Sequence, residues 1–366
     1  MPMTPWEELL HQCRQGKPTA SIVFEGAAPA DMRLVGGIVQ DCSFQAAQLA
    51  GGTWSDMQFI RCRFNGAVFE RQRFERVQFI SCIFEDCTWT QLEVAGLVMV
   101  SCELRRLGFA QARFADSVWS KSVVAQMHFE GGEFDRCAFM DCPDFEMSAQ
   151  GTRFARTVFH HLSLSRCVLP GCTIGNCVLI AIEAAGFSFA GMALAMTQFT
   201  DSDLRRCDFT GCDLRQANFK GANLAGAVLQ RAMATHALFI GANLEDVDAT
   251  AIHCPQSIFD GAALARSRWD RAHMDQSMLR RTTCHEAVFA EASLIYCDFS
   301  HADVSAADFR GAKFGRTNFH QAVQEAALFS DRAGILMADD KLSEAEKWKQ
   351  PEHRQAMFQQ TSTKRR

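Results

Sequence analysis

Side chains able to do chemistry are plentiful in this chain: 16 cysteines, 11 histidines and 42 carboxylates among 366 residues. His160-His161 is the tempting metal-ligating pair. The cysteines raise the question of disulfides or zinc, and Asp203, Asp208 and Asp213 that of paired carboxylates for acid–base work. Spacing answers each in turn. The two histidines have no cysteine or further histidine at ligand spacing, so they read as diverging, solvated surface. Thirteen cysteines, among them Cys42, Cys62, Cys82 and Cys102, share one phase of a five-residue period. The three aspartates recur every five residues, which places them on different sides of whatever that period builds. No nucleophile elbow, phosphate loop or dinucleotide fingerprint occurs. The expectation is a protein that is not an enzyme, with no catalytic, cofactor-binding or metal-ligating residue.

The period of five is the dominant property of the chain. From Phe24 to Phe329 every fifth residue is apolar except Pro29, Asp144 and Gln324, over 62 positions, and 27 of the 30 phenylalanines stand on this comb. A helix turns one face inward every 3.6 residues and a strand every two, so neither explains five. A chain that turns a corner every five residues does, sending one large side chain inward per side. Four sides close a coil of about twenty residues, and coils stack at the ~4.8 Å strand spacing. Two residues before each comb position the side chain is small: Ala217, Ala222, Ala227, Ala232, Ala237 and Ala242 run without a gap. Large and small residues alternating in a narrow tube fill it densely. The thirteen in-phase cysteines occupy this small site as small hydrophobes. Cys42, Cys62, Cys82 and Cys102 form one column, within disulfide reach but read as free thiols of a reducing compartment.

The run Cys207-Asp208-Phe209-Thr210-Gly211, Cys212-Asp213-Leu214-Arg215-Gln216, Ala217-Asn218-Phe219-Lys220-Gly221, Ala222-Asn223-Leu224-Ala225-Gly226 resembles the pentapeptide-repeat family, over roughly residues 20–330. The resemblance implies an all-β solenoid, a right-handed quadrilateral β-helix. With ~15 coils it should be about 70 Å long.

Three segments are expected: a capping helix at 1–19, the β-helix at 20–330 with an irregular coil near 143–151, and a helix with a basic tail at 331–366. Thr4-Pro5-Trp6-Glu7 is a capping box with proline in the first turn, and Trp6, Leu9, Leu10 and Cys13 form one apolar face ended by Gly16. Ser343-Glu344-Ala345-Glu346 reads as a second capping box, with Leu342, Ala345 and Trp348 on one side and Pro351 ending the helix. Either helix could also serve a homodimer. At Cys142-Pro143-Asp144-Phe145-Glu146-Met147 the pattern fails: Asp144 stands on the comb, and Phe145 and Met147 read as out of phase. A bulge or short excursion is expected there. Ile182 to Phe187 merely exchanges large and small sites, so no loop is expected.

A filled tube leaves its exterior and tips to act. The candidate interaction residues are those that break the repeat, Pro143, Asp144, Phe145, Glu146 and Met147, with Trp6 and Trp348 of the terminal helices. The array ending Gly311-Ala312-Lys313-Phe314, with the acidic stretch Ala338–Trp348, resembles pentapeptide-repeat proteins encoded with type VI secretion systems. That resemblance implies an accessory or adaptor binding an effector or spike component. Two alternatives are a duplex-DNA mimic binding DNA gyrase and a generic cytoplasmic scaffold. A net charge of −5 and mixed outer walls argue against the mimic. The sealed aromatics and the lack of a basic stripe argue against direct nucleic-acid binding. No secretory start or apolar run of eighteen is visible, so a cytoplasmic protein away from membranes is expected.

Overall fold

A computed structural model describes residues 3–337 and 340–347. Helix α1, Pro5–Arg14, begins as its sequence requires: the Thr4 side chain accepts from the Glu7 amide, and the Glu7 carboxylate accepts from the Thr4 amide. Trp6, Leu9 and Cys13 are buried on its inner face, and the Trp6 ring lies 4.7 Å from Phe24 in the first coil. From Thr19 the chain winds as a four-sided parallel β-helix of about 16 turns. Each side pairs with the side twenty residues on: Thr19 with Val39, Glu93 with Arg113, Asp203 with Asn223.

The comb forms the core. Phe199, Phe219, Phe239 and Phe259 stack in one column with ring centroids 5.0, 5.0 and 4.8 Å apart. Phe209 meets Phe219 edge-on at 5.8 Å from the neighbouring side. Each ring therefore has partners above, below and across, and burial of each contributes roughly 1.5–3 kcal/mol. All 16 cysteines are buried free thiols. Cys62, Cys82 and Cys102 point their Sγ at the carbonyls of Val39, Phe59 and Phe79, at 3.3–3.5 Å, rather than into bridges.

The walls are of two kinds. From residue 68 to 160 they are three-residue strands, except for four-residue strands at Met127–Glu130 and Met147–Gln150 and a side without a strand at 141–146, and no corner between 68 and 163 is closed by its own turn hydrogen bond. From Cys167 onward most corners are closed β-turns: Cys212 N–H reaches Phe209 C=O at 3.1 Å, Ala217 reaches Leu214 at 3.0 Å, and Ala222 reaches Phe219 at 3.0 Å. The residue preceding the comb position separates the two. In the strand region it is mostly β-branched or long, as in Val98, Glu103, Val118 and Val123, with Gly108 and Ala138 as exceptions. In the turn region it is often Asp or Asn, whose side chain accepts from the amide two residues on: Asp208 from Thr210 at 2.9 Å, Asn218 from Lys220 at 3.0 Å. This side-chain turn stabilises the corner, and β-branched residues favour extension, although Val228, Ile258 and Val288 precede closed turns. Ala184–Phe187 and Leu194–Thr197 are turns without Asp or Asn, so the side chain reinforces the corner rather than dictating it.

Helix α2, Asp340–Lys347, lies against the last coils, with Ser343 Oγ 3.3 Å from Gln321 Nε2. The expected second capping box does not form, because the helix already includes Asp340 and Ser343 is interior to it. Trp348, Pro351 and the basic tail lie outside the described residues. At this end Leu328 is 48% exposed and Phe329 half-buried, with Arg332 over its ring at 4.0 Å. No helix among the described residues is long and apolar enough to cross a membrane.

Candidate functional site

The strand region gives way to the turn region between residues 141 and 193, and the outer wall opens there. One side of the helix carries a continuous ladder through Arg63, Ile83, Glu103 and Val123, which resumes as Ser163 paired with Glu183. Among the described residues no bridge joins Pro143 to either neighbour. Pro143 has no amide to give, and Asp144, at φ +53°, turns away from the core. Phe145 swings in to take the comb site, 3% exposed and edge-on to Phe139 at 5.5 Å. Nothing is inserted. Met127 pairs with Met147 at the usual twenty-residue spacing, and Met147, 2% exposed, fills the small inward site. The expected excursion is thus a one-residue shift of the inward position, and Met147 is in phase after all.

The gap forms a groove of about 410 Å³ between Pro143, Asp144, His161, Arg166 and Glu183. Through Ser165 it runs on into a larger groove of about 800 Å³. The floor of the larger part is apolar. Leu169, Phe187 and Met192 stand at inward positions yet remain half-buried, and Val168 is 60% exposed. The cause is the rim: Gly171, Ala185, Gly186, Ala190, Gly191 and Ala193 carry too little side chain to cover them. Alanine and glycine are densest at outward positions between 185 and 193, and that run is the readable signal for the groove, which the sequence expectations above do not include.

His160 and His161 stand on the groove's edge and do not diverge. Their rings stack 4.0 Å apart at 27°. His161 Nδ1 lies 3.1 Å from Asp141 Oδ1, and His160 Nδ1 4.0 Å from the same oxygen. The left-handed φ of +50° at His161 folds the second ring back over the first. The pair follows a pattern repeated along the corners, in which a carboxylate meets a base one coil on. Arg61 grips Asp41 with two contacts of 2.7 Å, and Arg76 grips Asp56 at 2.7 and 2.8 Å. Those arginine hydrogen bonds hold both carboxyls below the usual carboxylate range. Burial acts oppositely on the thiols, pushing Cys87, Cys207 and Cys297 up to about 12. Burial thus disfavours the thiolate that a nucleophile needs.

The interaction candidates separate by burial. Pro143 and Asp144 are exposed and Glu146 is half-exposed, all beside the groove, whereas Phe145, Met147 and Trp6 are core. Core side chains cannot meet a partner without unfolding, which withdraws these three as contacts. Trp348 lies outside the described residues.

A pentapeptide-repeat family model matches residues 188–221, 212–248 and 287–323, in eight copies. These are the stretches where Asp or Asn most often precedes the comb. Among solved structures, HetL, a pentapeptide repeat protein involved in heterocyst differentiation regulation from the cyanobacterium Nostoc, is 16% identical, with 64% of this chain and 91% of that one covered and a TM-score of 0.29. Full-length QnrB1, a plasmid-mediated fluoroquinolone resistance protein, is 17% identical over 45% of this chain and 96% of its own, at a TM-score of 0.17. A pentapeptide repeat protein from the Arabidopsis thaliana thylakoid lumen is 23% identical over 36% of this chain and 68% of its own, at a TM-score of 0.15. No curated protein matches the sequence. The chain thus carries five-residue units like those of the pentapeptide repeats, matched over residues 188–248 and 287–323, within one stack of four-sided parallel coils.

Proposed function

We propose that the chain is a non-enzymatic, protein-binding rod that docks its partner in the groove at residues 141–193. The observation that carries this reading is the apolar floor of Val168, Leu169, Phe187 and Met192 under a rim of alanine and glycine. A contiguous exposed apolar patch is a usual mark of an interaction site. Asp144, Arg166 and Glu183, beside Pro143, supply a polar border where the groove continues, and Glu146 stands half-exposed next to them in sequence. The partner is an effector or spike component of a type VI secretion system, and the rod acts as its cytoplasmic adaptor. This finer reading rests on the likeness of the acidic stretch Ala338–Trp348 and the preceding array to such accessory proteins. The buried, unbridged thiols accord with a reducing compartment.

A gyrase-binding duplex mimic is less well supported. Mimicry needs unpaired carboxylates at a density near that of phosphates, about one charge per 1.7 Å. Here Asp41, Asp56, Asp86, Asp116, Asp246 and Asp260 are each gripped by an arginine of the next coil. Affinity capture from the source cell with the intact protein and with Val168→Asp tests the proposal. A secretion effector or spike protein recovered by the first and lost by the second is the expected result. Recovery of a topoisomerase, with inhibition of supercoiling at micromolar protein, would overturn it.

A further inference from the structure

Far from the groove, three ligating side chains converge where α2 meets the last coils. His301 Nε2 lies 3.1 Å from Glu346 Oε1, and His320 Nε2 lies 3.2 Å from Glu346 Oε2. The two imidazoles come from successive coils, with centroids 5.6 Å apart and planes at 90°. All three donor atoms fall within 4.8 Å of one another. His320 is 1% exposed, while the side chains of His301 and Glu346 are 34% and 35% exposed. One side of the cluster is thus buried and the other opens to water. Gln321 Nε2 donates to Glu346 Oε2 at 3.2 Å and steadies the carboxylate from outside.

We propose that His301, His320 and Glu346 form a site for a divalent transition metal of the zinc class, which staples α2 to the wall. Two neutral imidazoles and one carboxylate are a zinc-type donor set, with a fourth position left for water. The observed separations need little change: ligands about 2.0–2.1 Å from an ion stand roughly 3.3 Å apart in a tetrahedron. On binding, each imidazole proton moves to Nδ1, or leaves to solvent if the ring was charged, and the Nε2 lone pair takes the metal. No oxidation or reduction is involved.

A second observation asks for such a staple. Every described side chain of α2 is exposed except Ser343, which is half-buried. An eight-residue helix is unstable alone and most helices are held by an apolar face. A bound ion would hold the helix more firmly than the described polar contacts alone. Asp141, His160 and His161 form the other cluster of ligating groups among the described residues. Their near-parallel rings and the His161–Asp141 contact already repeat the corner ion-pair pattern, so the buried triad at α2 is the better site.

The inference is independent of the groove and of the partner that docks there. Its test is zinc titration of the reduced, EDTA-stripped full chain by calorimetry, with hydrogen exchange of residues 340–347 followed in parallel. One zinc per chain should bind, and exchange in α2 should slow. His301→Ala and Glu346→Gln should each weaken binding at least ~10-fold. Glu346→Gln keeps the side chain's shape and its capacity to accept from an imidazole, so it separates a metal site from a hydrogen-bonded latch. His161→Ala should leave binding intact. The proposal is overturned if zinc fails to saturate the protein, if both triad variants keep full affinity, or if affinity falls only in His161→Ala.

Discussion

The strand-walled coils around residues 68–160 and the turn-closed coils beyond 167 enclose the same core with different corners. Phe139 in the first and Phe219 in the second are both fully buried and stacked on the comb residue twenty positions away. What differs is outside: β-branched or long residues before the comb extend three-residue strands, while Asp208, Asn218 and Asn223 cap turns. The inward residues therefore determine the fold, and the outward residue before the comb reinforces the corner without dictating it. Where the wall type changes, the outer surface opens into a groove, so the junction is a natural place for function.

The largest effect should ignore the boundary. Phe139→Ala and Phe219→Ala should each cost about 3–5 kcal/mol in chemical denaturation, since each removes a ring from a filled column. A cost near zero in either region would mean that the two cores are not equivalent. The next effect should respect the boundary. Asn218→Ala and Asn223→Ala each remove a side-chain turn bond, at about 0.5–1.5 kcal/mol, and should speed amide exchange at Lys220 and Ala225. Val98→Ala should leave corner amides unchanged, because no such bond exists there; equal acceleration at both places would refute the corner account.

The smallest effect is that of acid. Between residues 41 and 136, Asp41, Asp56, Asp86 and Asp116 hold arginines of the next coil, and those hydrogen bonds lower the carboxyl pKa values. A carboxyl lowered in the folded state contributes its stability fully above the unfolded value near 3.9 and loses it as pH falls through the folded value. Between residues 203 and 230, Asp203 and Asp213 instead pair with arginines two residues away, inside one coil; coil-to-coil pairs return at Asp246 and Asp260. Coil-to-coil exchange protection should therefore weaken below about pH 4 more in residues 41–136 than in 203–230. The change should be slight, because these pairs are exposed. Uniform weakening along the rod would remove the distinction.

The comb made the core legible in advance, because each comb residue has one environment repeated coil after coil. The left-handed corners were legible only in part. Glycine marks Gly211 and Gly221, but Gln91, Arg106 and Gln216 adopt the same positive φ, held by the ladder rather than by their own preference. Asp144 was rightly seen to be unfit for the core, yet Phe145 replaces it without any inserted residue, and that repair depends on three-dimensional room. The groove was written in the alanines and glycines between Gly171 and Ala193, as missing cover rather than as a motif. The triad was not legible. His301 and His320 are nineteen residues apart, off the coil period, and Glu346 joins them only because α2 folds back.

The central claim is that a partner protein docks over the apolar floor at the junction. Photo-crosslinking in the source cell, from a benzoylphenylalanine placed at Val168 and, as control, at the exposed Met278 on the turn-region wall, tests it most directly. The account predicts a discrete protein adduct from position 168, absent from position 278 and abolished by Glu substitution at Leu169. Adducts of equal yield from both positions, or none from 168, would contradict it.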